Sequence, residues 1–135
     1  MKKIEYWEVN QYSKDEILKK ISSNNLLEIG EAILSSSSGN NYQLALSLLD
    51  KFYQHSNDGI RKICIDSLIR VVLNYKKIDA ELAVKIIRSS LIDKNKSIKG
   101  AVMDCISDLE HNLENFKFDY CKDKKNKGTL YKRHQ

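Results

Sequence analysis

Apolar residues recur every three or four positions along most of the chain, a spacing that predicts one-sided helices rather than strands. Ser13, Lys14, Asp15 and Glu16 open the first with a capping-box pattern, in which the serine oxygen accepts a free amide and the glutamate reciprocates. Ile17, Leu18 and Ile21 follow as a short face, and the polar run 22–25 interrupts it. Leu26, Leu27, Ile29, Ile33 and Leu34 make a second face. The serine- and asparagine-rich stretch 35–41, with Gly39 inside it, reads as the clearest loop in the chain. A third face carries Tyr42, Ala45, Leu46, Leu48, Leu49, Phe52 and Tyr53, and His55 to Gly59 breaks it. Ile60, Ile63, Cys64, Ser67, Leu68, Val71 and Val72 form the fourth. Asp79 is placed to cap a fifth, with Leu82, Ala83, Ile86, Ile87 and Leu91. Ile98, Ala101, Val102, Cys105, Ile106 and Leu109 complete the sixth. Each helix is apolar on one side, so packing in antiparallel pairs is the economical way to bury it.

The later faces are spaced alike. A shift of 38 residues carries Ala45, Leu46, Leu48 and Leu49 onto Ala83, Val84, Ile86 and Ile87. It also carries Asn57, Ile60, Arg61, Cys64, Asp66 and Leu68 onto Asn95, Ile98, Lys99, Val102, Asp104 and Ile106. Apolar character persists at the core positions while solvent positions drift, the pattern expected of two diverged helical hairpins. A weaker shift of 34 relates Leu26, Ile29, Ile33 and Leu34 to Ile60, Ile63, Ser67 and Leu68, suggesting an atypical first hairpin.

The run from Asn57 to Leu68 resembles the start of the second helix of a HEAT repeat, with Asp58 in the turn followed by Ile60 and Arg61. Asn95 to Ile106 resembles it again, more loosely: Lys96 stands where Asp58 would be, and Lys99 replaces the arginine. The proline usual in the first helix is missing from both. The resemblance covers about residues 42–110 and, faintly, 13–38. It implies an all-α fold, a short right-handed superhelical stack of antiparallel helix pairs over residues 1–115, followed by a basic tail at 116–135. Tyr6, Trp7, Val9 and Tyr12 are candidates to cover the first end of such a stack, and Leu113, Phe116, Phe118 and Tyr120 the last.

Charge sharpens this division. The formal net charge is +5, yet residues 1–115 hold 16 basic and 16 acidic side chains, so seven basic residues against two acids after 115 supply all of it. A neutral body lacks the basic excess typical of a duplex-binding domain, and the tail reads as a soluble, partly frayed terminus. No apolar run approaches the roughly 20 residues that span a bilayer, and Ile4-Glu5-Tyr6-Trp7-Glu8 is no signal-peptide core. Three cysteines without paired or CxxC spacing point to a reducing, cytoplasmic compartment.

Catalytic chemistry finds little support. His55, His111 and His134 form no motif, and Cys64 and Cys105 fall on apolar faces as small core residues. Neither a nucleotide-binding glycine loop nor a nucleophile elbow is present. Asp66 and Asp104 are equivalent under the 38-residue shift but sit one hairpin apart, too far for a shared metal ion, and no cofactor is expected. Binding is the better expectation, because a helical stack can vary its outer side chains without disturbing its core. Asp66, Arg70, Asp104, Asp108 and the nearby Glu110 are the candidate protein-binding set; Trp7, Tyr12, Tyr42, Tyr53 and Tyr75 are candidate anchors. In size and architecture the chain resembles the small bacterial HEAT-like immunity proteins, a resemblance that implies a cognate toxin's toxic domain as partner. Two alternatives stay open. One is a nucleic-acid-binding protein using Arg61, Lys62, Lys96, Lys99 and the basic tail; the other is a structural adaptor.

Overall fold

A computed structural model of the chain describes residues 10–121 and 127–134. Six helices account for most of it: α1 (Lys14–Ser22), α2 (Leu26–Ser37), α3 (Tyr42–Phe52), α4 (Asp58–Tyr75), α5 (Ala80–Leu91) and α6 (Lys96–Asn112). Each begins at a residue whose side chain accepts from an amide of the first turn: Ser13, Asn25, Asn41, Asn57, Asp79 and Asn95. These oxygens satisfy amides that a helix cannot bond internally, which is why the boundaries fall there. The capping box at Ser13 is complete, and Asp79 receives the Leu82 amide at 3.0 Å.

The elements α3 and α5 begin 38 residues apart, as do α4 and α6. Ala45 and Ala83, Leu49 and Ile87, Ile60 and Ile98, and Cys64 and Val102 are all buried. Helix α4 lies at the centre, packed between α2 and α6, while α3 touches both α4 and α5. Helices α4 and α6 run the same way. At their starts the Asn95 side chain donates from Nδ2 to the Asp58 carboxylate, and at their ends one segment of chain bonds to Lys76 and Asn112. One contiguous core runs from Ile17 to Phe118.

The structure corrects the reading of residues 35–41 as a loop. Ser35, Ser36 and Ser37 form the buried last turn of α2. The hydroxyls of Ser36 and Ser37 donate to the Ile33 carbonyl at 3.0 and 2.8 Å, so burying them costs little. Small side chains let this turn meet the end of α4, where Tyr75 Oη donates to the Ser36 carbonyl and Asn74 to those of Ser37 and Gly39.

Nor is everything beyond residue 115 a free tail. Phe116 and Phe118 are buried, and Leu113 is fully so, as end covers were expected to be, whereas Tyr120, expected with them, is 52% exposed and only meets the Phe118 ring edge-on. Two short strands, β1 (Lys77–Asp79) and β2 (Thr129–Tyr131), pair antiparallel with Ile78 opposite Leu130. An isolated bridge joins Leu113 to Lys132. The fold is thus mostly helical, as the all-α expectation has it, with this small sheet in addition. Three-residue strands are too short for alternation to show, and their pairing depends on residues about fifty positions apart. At the other end, Tyr6, Trp7 and Val9 lie outside the described residues; Tyr12 packs on the core and its amide donates to Ser35 Oγ at 3.0 Å.

Candidate interaction surface

Residues 62, 66, 70 and 73 of α4 follow at one-turn spacings and so share a face. Lys62 Nζ meets the Asp66 carboxylate at 3.3 Å, and both are exposed. Arg70 is half-buried; its Nε is shielded from solvent and has no hydrogen-bond partner among the described residues. Leu73 ends the stripe with nearly half of its surface exposed. On α6, Asp104 and Asp108 are exposed one turn apart.

The buried Cys105 ties the two helices together. Its Sγ donates to the Ile65 carbonyl across the α4–α6 seam at 3.6 Å. Burial first, and then the carboxylates of Asp108 and Asp66, push its thiol up to about 12. Asp66, Arg70 and Leu73 share one face of α4 and Asp104 and Asp108 one face of α6, the helix packed beside it. Burial alone pushes the Cys64 thiol up to about 12. Neither buried thiol is a nucleophile near neutral pH.

Glu110 does not join this surface. Its Oε2 accepts the Phe118 amide at 2.7 Å, and its side chain is half-buried. It fixes the chain that folds back over α6, with Phe118 also beneath the guanidinium of Arg88, 4.9 Å from the ring centroid. Replacing Glu110 with alanine is expected to cost about 1.5 kcal/mol, because the amide loses a charged acceptor. The check is urea denaturation together with faster exchange of the Phe118 amide; unchanged exchange there would remove the assignment.

The cationic set sits at the adjoining starts of α4 and α6, and part of it is already engaged. Arg61 is committed to Asp93, at 2.8 Å, and to Asp58, and it also donates to the carbonyls of His55 and Ser56. Lys62 leans on Asp66, while Lys96 and Lys99 are exposed in the first turn of α6. Among the tail lysines, Lys122, Lys124 and Lys125 lie outside the described residues.

Of the candidate anchors, Trp7 lies outside the described residues, and Tyr12, Tyr42, Tyr53 and Tyr75 pack half-buried against the core. His55 Nδ1 accepts the Asn57 amide at 2.9 Å and shapes the turn before α4. Among the described residues no group of three or more His, Cys, Asp or Glu could hold a metal ion. An open groove of about 370 Å³ between α3 and α5 is lined in part by Asp50, Glu81 and Lys85, with Asp50 and Lys85 paired at 2.7 Å. The sequence reading missed Leu73, although the spacing 66, 70, 73 pointed to it.

No helix among the described residues is long and apolar enough to cross a membrane. Compared with family models, with curated proteins and with solved structures, the chain matches none.

Proposed function

We propose that this chain is a non-enzymatic protein-binding module, built as a short HEAT-like stack, that acts as an immunity protein by occupying the toxic domain of a cognate bacterial toxin. The observation that carries the binding reading is the α4–α6 surface: Asp66, Asp104 and Asp108 are exposed on two parallel helices joined at both ends. Such a surface is ordered before binding, so little conformational entropy is lost when a partner docks. Its acids suit a basic partner, as the substrate-binding face of a nuclease toxin would be, and they speed encounter by long-range attraction. Arg70 and Leu73 add a buried cationic stem and an apolar contact beside them. A cytoplasmic setting suits three unpaired thiols.

The test is affinity capture with the full chain from the cells that make it, after nuclease treatment, beside a variant carrying Asp66→Lys, Asp104→Lys and Asp108→Lys. One stoichiometric protein with a toxic domain is expected on the wild type. Its affinity for the variant should fall at least about tenfold, with the helical signal unchanged. Equal recovery on both would remove this surface from the proposal. Recovery of nucleic acid before nuclease treatment, and of no protein after it, would favour the nucleic-acid reading. A recovered partner without toxic activity would favour an adaptor.

A further inference from the structure

We infer that residues 127–134 form a releasable strap, one that opens as a unit while the helices stay folded and that closes over a strand-accepting edge of its own chain. The inference stands apart from the binding reading and rests on how the segment is held. Its grip is mainly through the backbone, with the Arg133 guanidinium and Leu130 as its side-chain contacts. The Ala80 amide donates to the Gly128 carbonyl at 2.9 Å, and Lys132 to Lys76 at 3.0 Å. Glu114 donates to Tyr131 at 2.9 Å, and Arg133 to Asn112 at 2.7 Å. Leu130 alone packs on the core, and it is only half-buried; Thr129, Tyr131 and Arg133 are exposed. A two-stranded ladder with one apolar anchor is marginal by itself, and segments that bury little surface open below the global unfolding free energy. The preceding stretch differs, since Phe116 and Phe118 are both buried and Glu110 holds the latter's amide.

What the strap covers is a ready-made acceptor. Ile78 and Leu113, each fully buried, lie against it through their paired positions. The last carbonyls of α6 face it as well. Arg133 Nε donates to His111 at 3.0 Å, its Nη2 to Glu110 at 3.2 Å, and its amide to Asn112. A helix end has four carbonyls without internal partners, and the strap supplies three of the donors. Lifting it leaves those oxygens and the inner edge of β1 unpaired beside two bared apolar side chains. An extended segment with an apolar residue and an arginine three positions later restores all of them, and residues 130–133 have that pattern.

Amide exchange on the full chain tests this. The Ala80, Glu114 and Lys132 amides are expected to exchange about 100-fold faster than those of Ile65 and Leu68 in α4, having corrected for intrinsic rates. A difference of tenfold or less would overturn independent opening. In the full chain carrying Leu130→Asp, protection should vanish at Ala80 and Glu114 and persist in α4; loss in α4 as well would overturn separability. Adding a peptide of residues 127–134 to that variant should restore protection at Ala80 and Glu114, whereas the same peptide with the Leu→Asp change should not. Failure of the first peptide, or equal effect of both, would overturn the acceptor edge.

Discussion

Replacing Ile65 with alanine is expected to destabilise the chain by about 3 kcal/mol, while the same truncation at Met103 costs less than about 0.5 kcal/mol. The two residues are related by the 38-residue shift, one on α4 and one on α6. Ile65 is fully buried at the turn of α4 whose carbonyl accepts from Cys105 Sγ of α6, so its removal leaves a cavity in the core; Met103 points outward and is 48% exposed. Further along the same faces, Ile69 of α4 corresponds to exposed Ser107, and Val72 to Glu110, which holds Phe118. Among the described helices α6 packs mainly on α4 and α5, and its other side carries exposed Met103, Asp104, Ser107 and Asp108. Urea denaturation with unchanged slope separates the two variants. Similar losses at both positions would mean that α6 has a packed neighbour on its outer side.

Removing the guanidinium of Arg61 is expected to cost about 2 kcal/mol, and Arg61→Lys to recover less than half of it. Arg61 joins the turn before α4 to the turn before α6, bonding Asp93 and Asp58 on one side and two carbonyls on the other. Lysine keeps the charge but not the fork. The side chains of Arg61 and Asp93 are 15% and 10% exposed, so partial solvent access keeps the cost below that of a fully buried pair.

A pH dependence follows. The hydrogen bond from Arg61, aided by the Asn95 amide and opposed by burial, holds the Asp93 carboxyl below its ordinary value of 3.8. The folded state thus favours the carboxylate. Its contribution is fully present above the ordinary value and fades as pH falls through the lower folded one. The stability gap between wild type and Asp93→Asn should therefore be constant from pH 7 to about 5 and close below about 3.8. A gap that widened in acid would contradict the ion pair.

The helices were legible because burial repeats at helical intervals and because five asparagine or aspartate caps and one serine mark their starts. Asn57 and Asn95 could have been read as caps from their place before each apolar run. Serines 35–37 misled because polarity signals solvent only where no neighbour engages the hydroxyl; here the Ile33 carbonyl takes those of Ser36 and Ser37, and Ser35 Oγ accepts the Tyr12 amide. On the candidate surface, Asp66, Asp104 and Asp108 are as exposed as their spacing suggested. Glu110 differs because its partner, the Phe118 amide, arrives by a fold-back that no helical period encodes. Arg61, as basic in sequence as Lys99, is unavailable because Asp93 reaches it from 32 positions away.

By itself the sequence determined the six helices, their buried faces and the 38-residue spacing of the later pairs, all consequences of local periodicity and caps. Tertiary structure alone decided which charges remained for solvent, that α2 ends in buried serines, and that β2 closes against β1 and the end of α6. The physical reason is range: helical faces are set by neighbours three and four residues away, whereas ion pairs and strand ladders join groups whose separation along the chain carries no period.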